Sequence, residues 1–184
     1  MDAIKALQQS YDDFGGILTN VSPDQLSLSS PCAGWDLRAT LNHTLGAVRM
    51  FTLINEGKAA GGDVGDIVGD DPAGALAQEA RPNLQSWRKP GALDGERVFP
   101  FGTFPAQTAL MINLGEVLVH AWDVARATGQ DETMNPDSAA LVYEFYAPQP
   151  LDEFRTYGAF GPEVAVPENA PAQQRLLGLL GRQP

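Results

Sequence analysis

The chain has 184 residues, 43% of them hydrophobic and 19% charged, which fits a single globular domain over 1–184 able to bury its own core. Against 12 Lys and Arg stand 23 Asp and Glu, a formal charge of −11, so a nucleic-acid backbone or an anionic membrane surface is repelled on balance and neither is expected as a partner. No apolar run approaches the roughly 20 residues that cross a bilayer, and the amino terminus lacks the basic segment and apolar run of a secretory signal, so a cytoplasmic protein is expected. The single cysteine, Cys32, excludes an internal disulfide and a thiolate-rich zinc site. It reads as a small buried apolar residue near a helix start.

Ile4, Leu7, Tyr11, Phe14 and Leu18 recur at helical spacing and predict a first amphipathic helix, ended before Ser22-Pro23 because proline disfavours helical geometry in the preceding residue. A loop through Ser29-Ser30-Pro31-Cys32-Ala33-Gly34 follows. Asp36 is placed to cap a second helix carrying Leu37, Leu41, Leu45, Val48 and Phe51. The stretch 61–71, rich in glycine and aspartate, reads as a loop inside the domain. Asp71-Pro72 predicts a cap and first-turn proline for a third helix with Leu76, Ala80, Leu84 and Trp87, which Pro82 should kink or divide. Arg97 to Phe101 reads as a short extended segment, after which Pro105 opens a long apolar helix that Gly129 caps. A fifth helix is expected near Pro136; the pattern fragments beyond Pro148, with a last short helix over Gln173 to Leu180. The fold class predicted is all-α: an up-and-down four-helix bundle with an additional C-terminal helix and an irregular tail, an architecture that builds metal sites from facing helices.

The fourth helix carries the chemistry. Its apolar residues, from Ala109 to Ala125, cover nearly every direction around the axis, so it should be buried. Yet Asn113, Glu116, His120 and Asp123 follow one another at steps of three, four and three, along one line. A carboxylate inside an apolar bundle costs several kcal/mol unless it is paired or bound to a cation. The helix has no lysine, and Arg126 lies on another side of the axis. A divalent ion would satisfy Glu116 and His120 together, since helix positions four apart are neighbours. The chain's other histidine, His43, sits on the second helix between Ala39 and Ala47, whose short side chains leave room for an ion and an incoming ligand. Two nitrogens and one carboxylate oxygen suit zinc with an open fourth position, the pattern of catalytic zinc; nickel and iron stay open. For either histidine taken singly, ordinary packing is the commoner role. With both histidines engaged as ligands, no general base remains for a serine or cysteine hydrolase triad.

The segments Ser30-Pro-Cys-Ala-Gly-Trp-Asp-Leu-Arg-Ala-Thr-Leu-Asn-His43 and Gly115-Glu-Val-Leu-Val-His-Ala-Trp-Asp-Val-Ala-Arg-Ala-Thr-Gly129 resemble the DinB-like superfamily, in its actinobacterial branch related to mycothiol-dependent maleylpyruvate isomerase. The resemblance implies a four-helix bundle with a divalent metal held by a second-helix histidine and a Glu-x-x-x-His pair, here His43, Glu116 and His120. It also implies a metal that binds and activates a low-molecular-weight thiol such as mycothiol or bacillithiol, which would attack a small electrophilic substrate. A homodimer is implied as an alternative to a monomer. On the same stripe, Asn113 and Asp123 could orient an imidazole or a metal-bound water, or serve as spare ligands. Trp35 and Trp122, with Ala39 and Ala47, could line a pocket, although tryptophans in bundles more often simply pack. Arg38, Arg49 and Arg126 could receive an anionic substrate, with solvent-facing salt pairs the commoner role. Two readings follow: a metal-dependent thiol transferase or isomerase, or a non-catalytic protein that binds or senses a metal or small ligand.

Overall fold

The structure is a computed structural model that describes residues 2–60 and 65–184, so residues 61–64 of the loop expected at 61–71 lie outside the described residues. The chain forms two compact units, Asp2–Glu132 and Thr133–Pro184. The fold is predominantly helical, as the hydrophobic periodicity predicts.

The first unit holds α1 (Ala3–Leu18), α2 (Leu37–Asn55), α3 (Pro72–Trp87) and α4 (Ala106–Thr128). Helices α1 and α2 each pack against both α3 and α4. Their apolar stripes meet in a core that includes Leu7, Phe14, Leu41, Leu45, Leu76, Leu114 and Val117; each such side chain contributes roughly 1.5–3 kcal/mol on burial. The helix ends are built as the sequence suggests. The Asp36 carboxylate accepts from Ala39 N at 2.8 Å, Asp71 accepts from Gly74 N at 2.9 Å, and Gly129 closes α4 in the left-handed region at φ +67°. Among the described residues, no helix is long and apolar enough to cross a membrane.

Of the two outcomes expected of Pro82, division does not occur: α3 runs unbroken from Pro72 to Trp87. The next residue explains the continuity. Asn83 is fully buried, accepts from the Tyr11 hydroxyl of α1 at 3.0 Å, and donates to Val48 O and Thr52 Oγ1 of α2 at 3.1 and 3.2 Å. These tertiary bonds hold the helix where proline removes a backbone donor. The segment expected as one extended piece is instead half of an antiparallel hairpin, β1 (Glu96–Phe99) with β2 (Gly102–Pro105). Phe99 anchors it, buried with its ring 5.0 Å from Phe51 on α2.

The second unit holds α5 (Pro136–Tyr146), α6 (Leu151–Thr156) and α7 (Ala172–Leu179), of which the pattern beyond Pro148 gave only the last. Helices α5 and α7 pack together, and the Arg175 guanidinium lies 4.2 Å over the Tyr143 ring. Gly178 lets Val164 N bond its carbonyl at 2.9 Å; a Cβ there would stand 2.6 Å from Val164 O.

Candidate metal centre

All the groups singled out for chemistry lie in the first unit, on α2, α4 and the loop before α2. Helix α4 is buried along most of its length, and its Glu116 and His120 side chains retain only 19% and 9% exposure. His43, one turn and a half into α2, stays 45% exposed and reaches across so that its Nε2 lies 2.8 Å from Glu116 Oε1. His120 Nε2 lies 3.3 Å from that same oxygen, and the two imidazole rings stand edge to face with centroids 5.3 Å apart. The donor atoms of His43, Glu116 and His120 all fall within 4.8 Å of one another.

The three residues fit a divalent cation. Glu116 Oε1 is shut off from solvent and accepts no aligned hydrogen bond among the described residues, although two imidazole nitrogens face it. A buried carboxylate needs positive charge beside it, which protonated imidazoles or a cation among the three donors would supply. Two nitrogens and one oxygen are a donor set that zinc accepts. Without an ion, charge has to come from protons. Burial works against the charged form of Glu116, but His120 and His43 beside it outweigh burial and hold its pKa well below the usual carboxylate range. Burial likewise opposes protonation of His120, and the Glu116 charge, with help from Asp123 and Cys32, overcomes it and raises that pKa well above its ordinary 6.5.

The polar stripe on α4 divides. Asp123, fully buried, places Oδ2 2.8 Å from His120 Nδ1, the contact expected of a carboxylate that fixes an imidazole's orientation. Asn113 turns elsewhere: its Oδ1 accepts from Trp87 Nε1 of α3 at 2.9 Å, and its Nδ2 is buried without a hydrogen-bond partner among the described residues. The facing helix explains this, because Trp87 is buried and its N–H needs an acceptor. Of the pocket residues, Trp35 lies beside His43 with ring centroids 4.9 Å apart, and Ala39 and Ala47 flank His43 half-buried on α2. Trp122 is buried and covered by the Arg126 guanidinium at 4.6 Å. The arginines form salt pairs: Arg38 with Asp66 at 2.7 Å, Arg49 with Glu79, and Arg126 with Glu132 at 2.8 Å.

Cys32 is the residue that sequence reasoning misplaced. It is not simply packed: its Sγ donates to Asp123 Oδ2 at 3.3 Å and lies 3.8 Å from His120 Nδ1. Its placement depends on Gly34, whose φ of +81° lets the chain turn so that Trp35 N bonds Cys32 O at 3.1 Å.

A helical bundle with a histidine–glutamate–histidine cluster between α2 and α4 has the build of the DinB-like class. Residues 7–125 match the Mycothiol maleylpyruvate isomerase N-terminal domain, and the chain belongs to that family, a branch of the DinB-like superfamily. Two Mycobacterium tuberculosis proteins, Uncharacterized protein Rv0738 and Uncharacterized protein MT0763, are each 30% identical to it over 194 residues, which is 99% of this chain and 98% of theirs. The fold is shared with the crystal structure of the mycothiol-dependent maleylpyruvate isomerase, at a TM-score of 0.59 and 16% identity over 92% of this chain and 76% of that one. A histidine-to-alanine mutant of that enzyme matches at a TM-score of 0.62 and 17% identity, with the same coverage.

Proposed function

We propose that this protein is a metal-dependent thiol transferase or isomerase, in which His43, Glu116 and His120 hold a divalent cation, zinc in first place and nickel in second. The observation that carries the reading is the approach of two imidazole Nε2 atoms, from different helices, to one buried carboxylate oxygen that lacks an aligned hydrogen bond. A cation in such a site supplies Lewis acidity that stabilises the thiolate form of a bound low-molecular-weight thiol, such as mycothiol. Membership of the mycothiol maleylpyruvate isomerase family supports that choice of cosubstrate.

The chain's own residues divide the work. Glu116 brings the negative charge that makes the site favour a cation. His120, locked against Asp123, presents Nε2 in a fixed direction. His43 is 45% exposed beside the indole of Trp35, so a thiol and a small electrophile can approach from that side. The thiolate would attack the electrophile there as nucleophile.

The test is to purify the protein, measure its metal content, and follow conjugation of mycothiol to a generic electrophile with and without a chelator. Thiol consumption that stops on chelation is the expected result. A protein that carries stoichiometric metal and consumes no thiol would instead be a binding or sensing protein. A protein that takes up no divalent metal would remove the proposal.

A further inference from the structure

Cys32 lies outside the proposed ligand set of His43, Glu116 and His120, although its Sγ, with His120 and Asp123, forms a second group whose donor atoms all fall within 4.8 Å of one another, and the loop that carries it ties it to the ligand set. Residues Ser29 and Asp36 form an antiparallel bridge, Ser30 N bonds Trp35 O at 3.0 Å, Leu37 N bonds Leu28 O at 2.9 Å, and Ser30 Oγ accepts from Cys32 N at 3.2 Å. This small closed loop ends on the capped start of α2, whose next turns carry His43. From it, Cys32 meets Asp123 and His120 on α4, while Trp35, three residues on, packs against His43 on α2. One turn therefore touches both histidines.

We infer that Cys32 is a positioning residue for the metal centre: its thiol donates to Asp123 Oδ2 and so holds the carboxylate that fixes His120. Asp123 is fully buried, and its Oδ2 receives the thiol and the imidazole Nδ1 together. A buried carboxylate is aligned by its donors, and losing one of them weakens that alignment. Rotation of Asp123 would let the His120 ring tilt, moving Nε2 away from Glu116. The role needs a protonated, short donor at position 32, which serine partly reproduces and alanine does not. The inference rests on the metal-centre reading, and the experiment separates the two.

Two measurements test it. The protein has a single cysteine, so its Raman spectrum holds a single S–H stretching band. In the folded protein that band should lie at lower frequency than in denatured protein, and Asp123→Asn should move it back toward the denatured position. A folded-state band at the denatured frequency overturns the inference, whatever the metal does. In the second measurement, cobalt(II) is titrated into wild-type, Cys32→Ala and Cys32→Ser proteins. Cys32→Ala should bind cobalt roughly tenfold or more weakly, in the range seen when outer partners of metal-binding histidines are lost, and Cys32→Ser should recover part of that loss. Equal affinity of wild type and Cys32→Ala overturns the positioning role while leaving the ligand set intact. Failure of the wild type itself to bind cobalt strikes the metal reading, and the S–H band still decides whether Cys32 holds Asp123.

Discussion

The two histidines of the centre are built differently. His120 is enclosed on α4, with Glu116 on one nitrogen and Asp123 on the other. His43 is nearly half-exposed on α2, with Glu116 on Nε2 and a tryptophan ring alongside. One arm is fixed before any ligand arrives, and the other is reachable from solvent. The proposed centre would have to hold an ion yet admit a second molecule, and the two properties this asks for fall on different helices.

The largest effect should follow from breaking the fixed arm. His120→Ala is expected to abolish stoichiometric metal binding, read by elemental analysis of the purified protein. His43→Ala should weaken binding but leave measurable occupancy, because Glu116 and His120 keep their arrangement. Calorimetric titration of both variants decides the matter: equal losses would show that the difference in burial has no bearing on affinity. Asp123→Asn should come next, costing roughly 10–100-fold in affinity, with His43 and Glu116 untouched.

A pH series separates the metal-free centre from the loaded one. The raised pKa of His120 means that its protonated form stabilises the metal-free fold; that contribution is complete below about 6.5 and is lost as pH rises through the folded-state value. The depressed pKa of Glu116 means that its ionised form stabilises the fold above about 4.5, a contribution lost as pH falls through the folded-state value. The metal-free protein should therefore draw most from this pair between those two pH values and lose melting temperature above them. Added zinc should act in the opposite sense, raising the melting temperature more at pH 8 than at pH 6, because a proton and a cation compete for the imidazole. A zinc effect independent of pH would place the ion away from His120.

The same contrast shows what could be read from the residues alone. The three-four-three spacing on an otherwise apolar helix brought Glu116, His120 and Asp123 into view, because helix geometry is local and regular. His43 was legible because the chain has only one other histidine. Asn113 obeyed the same spacing and went to Trp87, since the facing helix decides where a side chain on the edge of a stripe turns. Cys32 and Trp35 were beyond pattern reading: their contacts depend on a bridge between Ser29 and Asp36 and on a left-handed glycine, neither of which has a period. The hairpin partner Gly102–Pro105 escaped for a related reason, being too short to show alternation.

The smallest expected effect probes that turn. At φ +81°, Gly34 occupies a conformation that costs an L-residue roughly 1–2 kcal/mol. An added Cβ would meet no atom within 4 Å, so the penalty of Gly34→Ala is backbone strain alone. At about 2–4 °C of melting temperature for each kcal/mol in a chain of this size, the metal-free variant should melt a few degrees lower. If the turn does hold both histidines, the loss has a second component: strain can be relieved by shifting Cys32 and Trp35, and cobalt affinity should then fall along with stability. A surface mutation of equal cost far from the centre, such as one at the exposed end of α1, provides the reference. Affinity unchanged in both variants would mean that the turn only closes the chain, whereas affinity lost in Gly34→Ala alone would tie the loop's backbone to the metal centre.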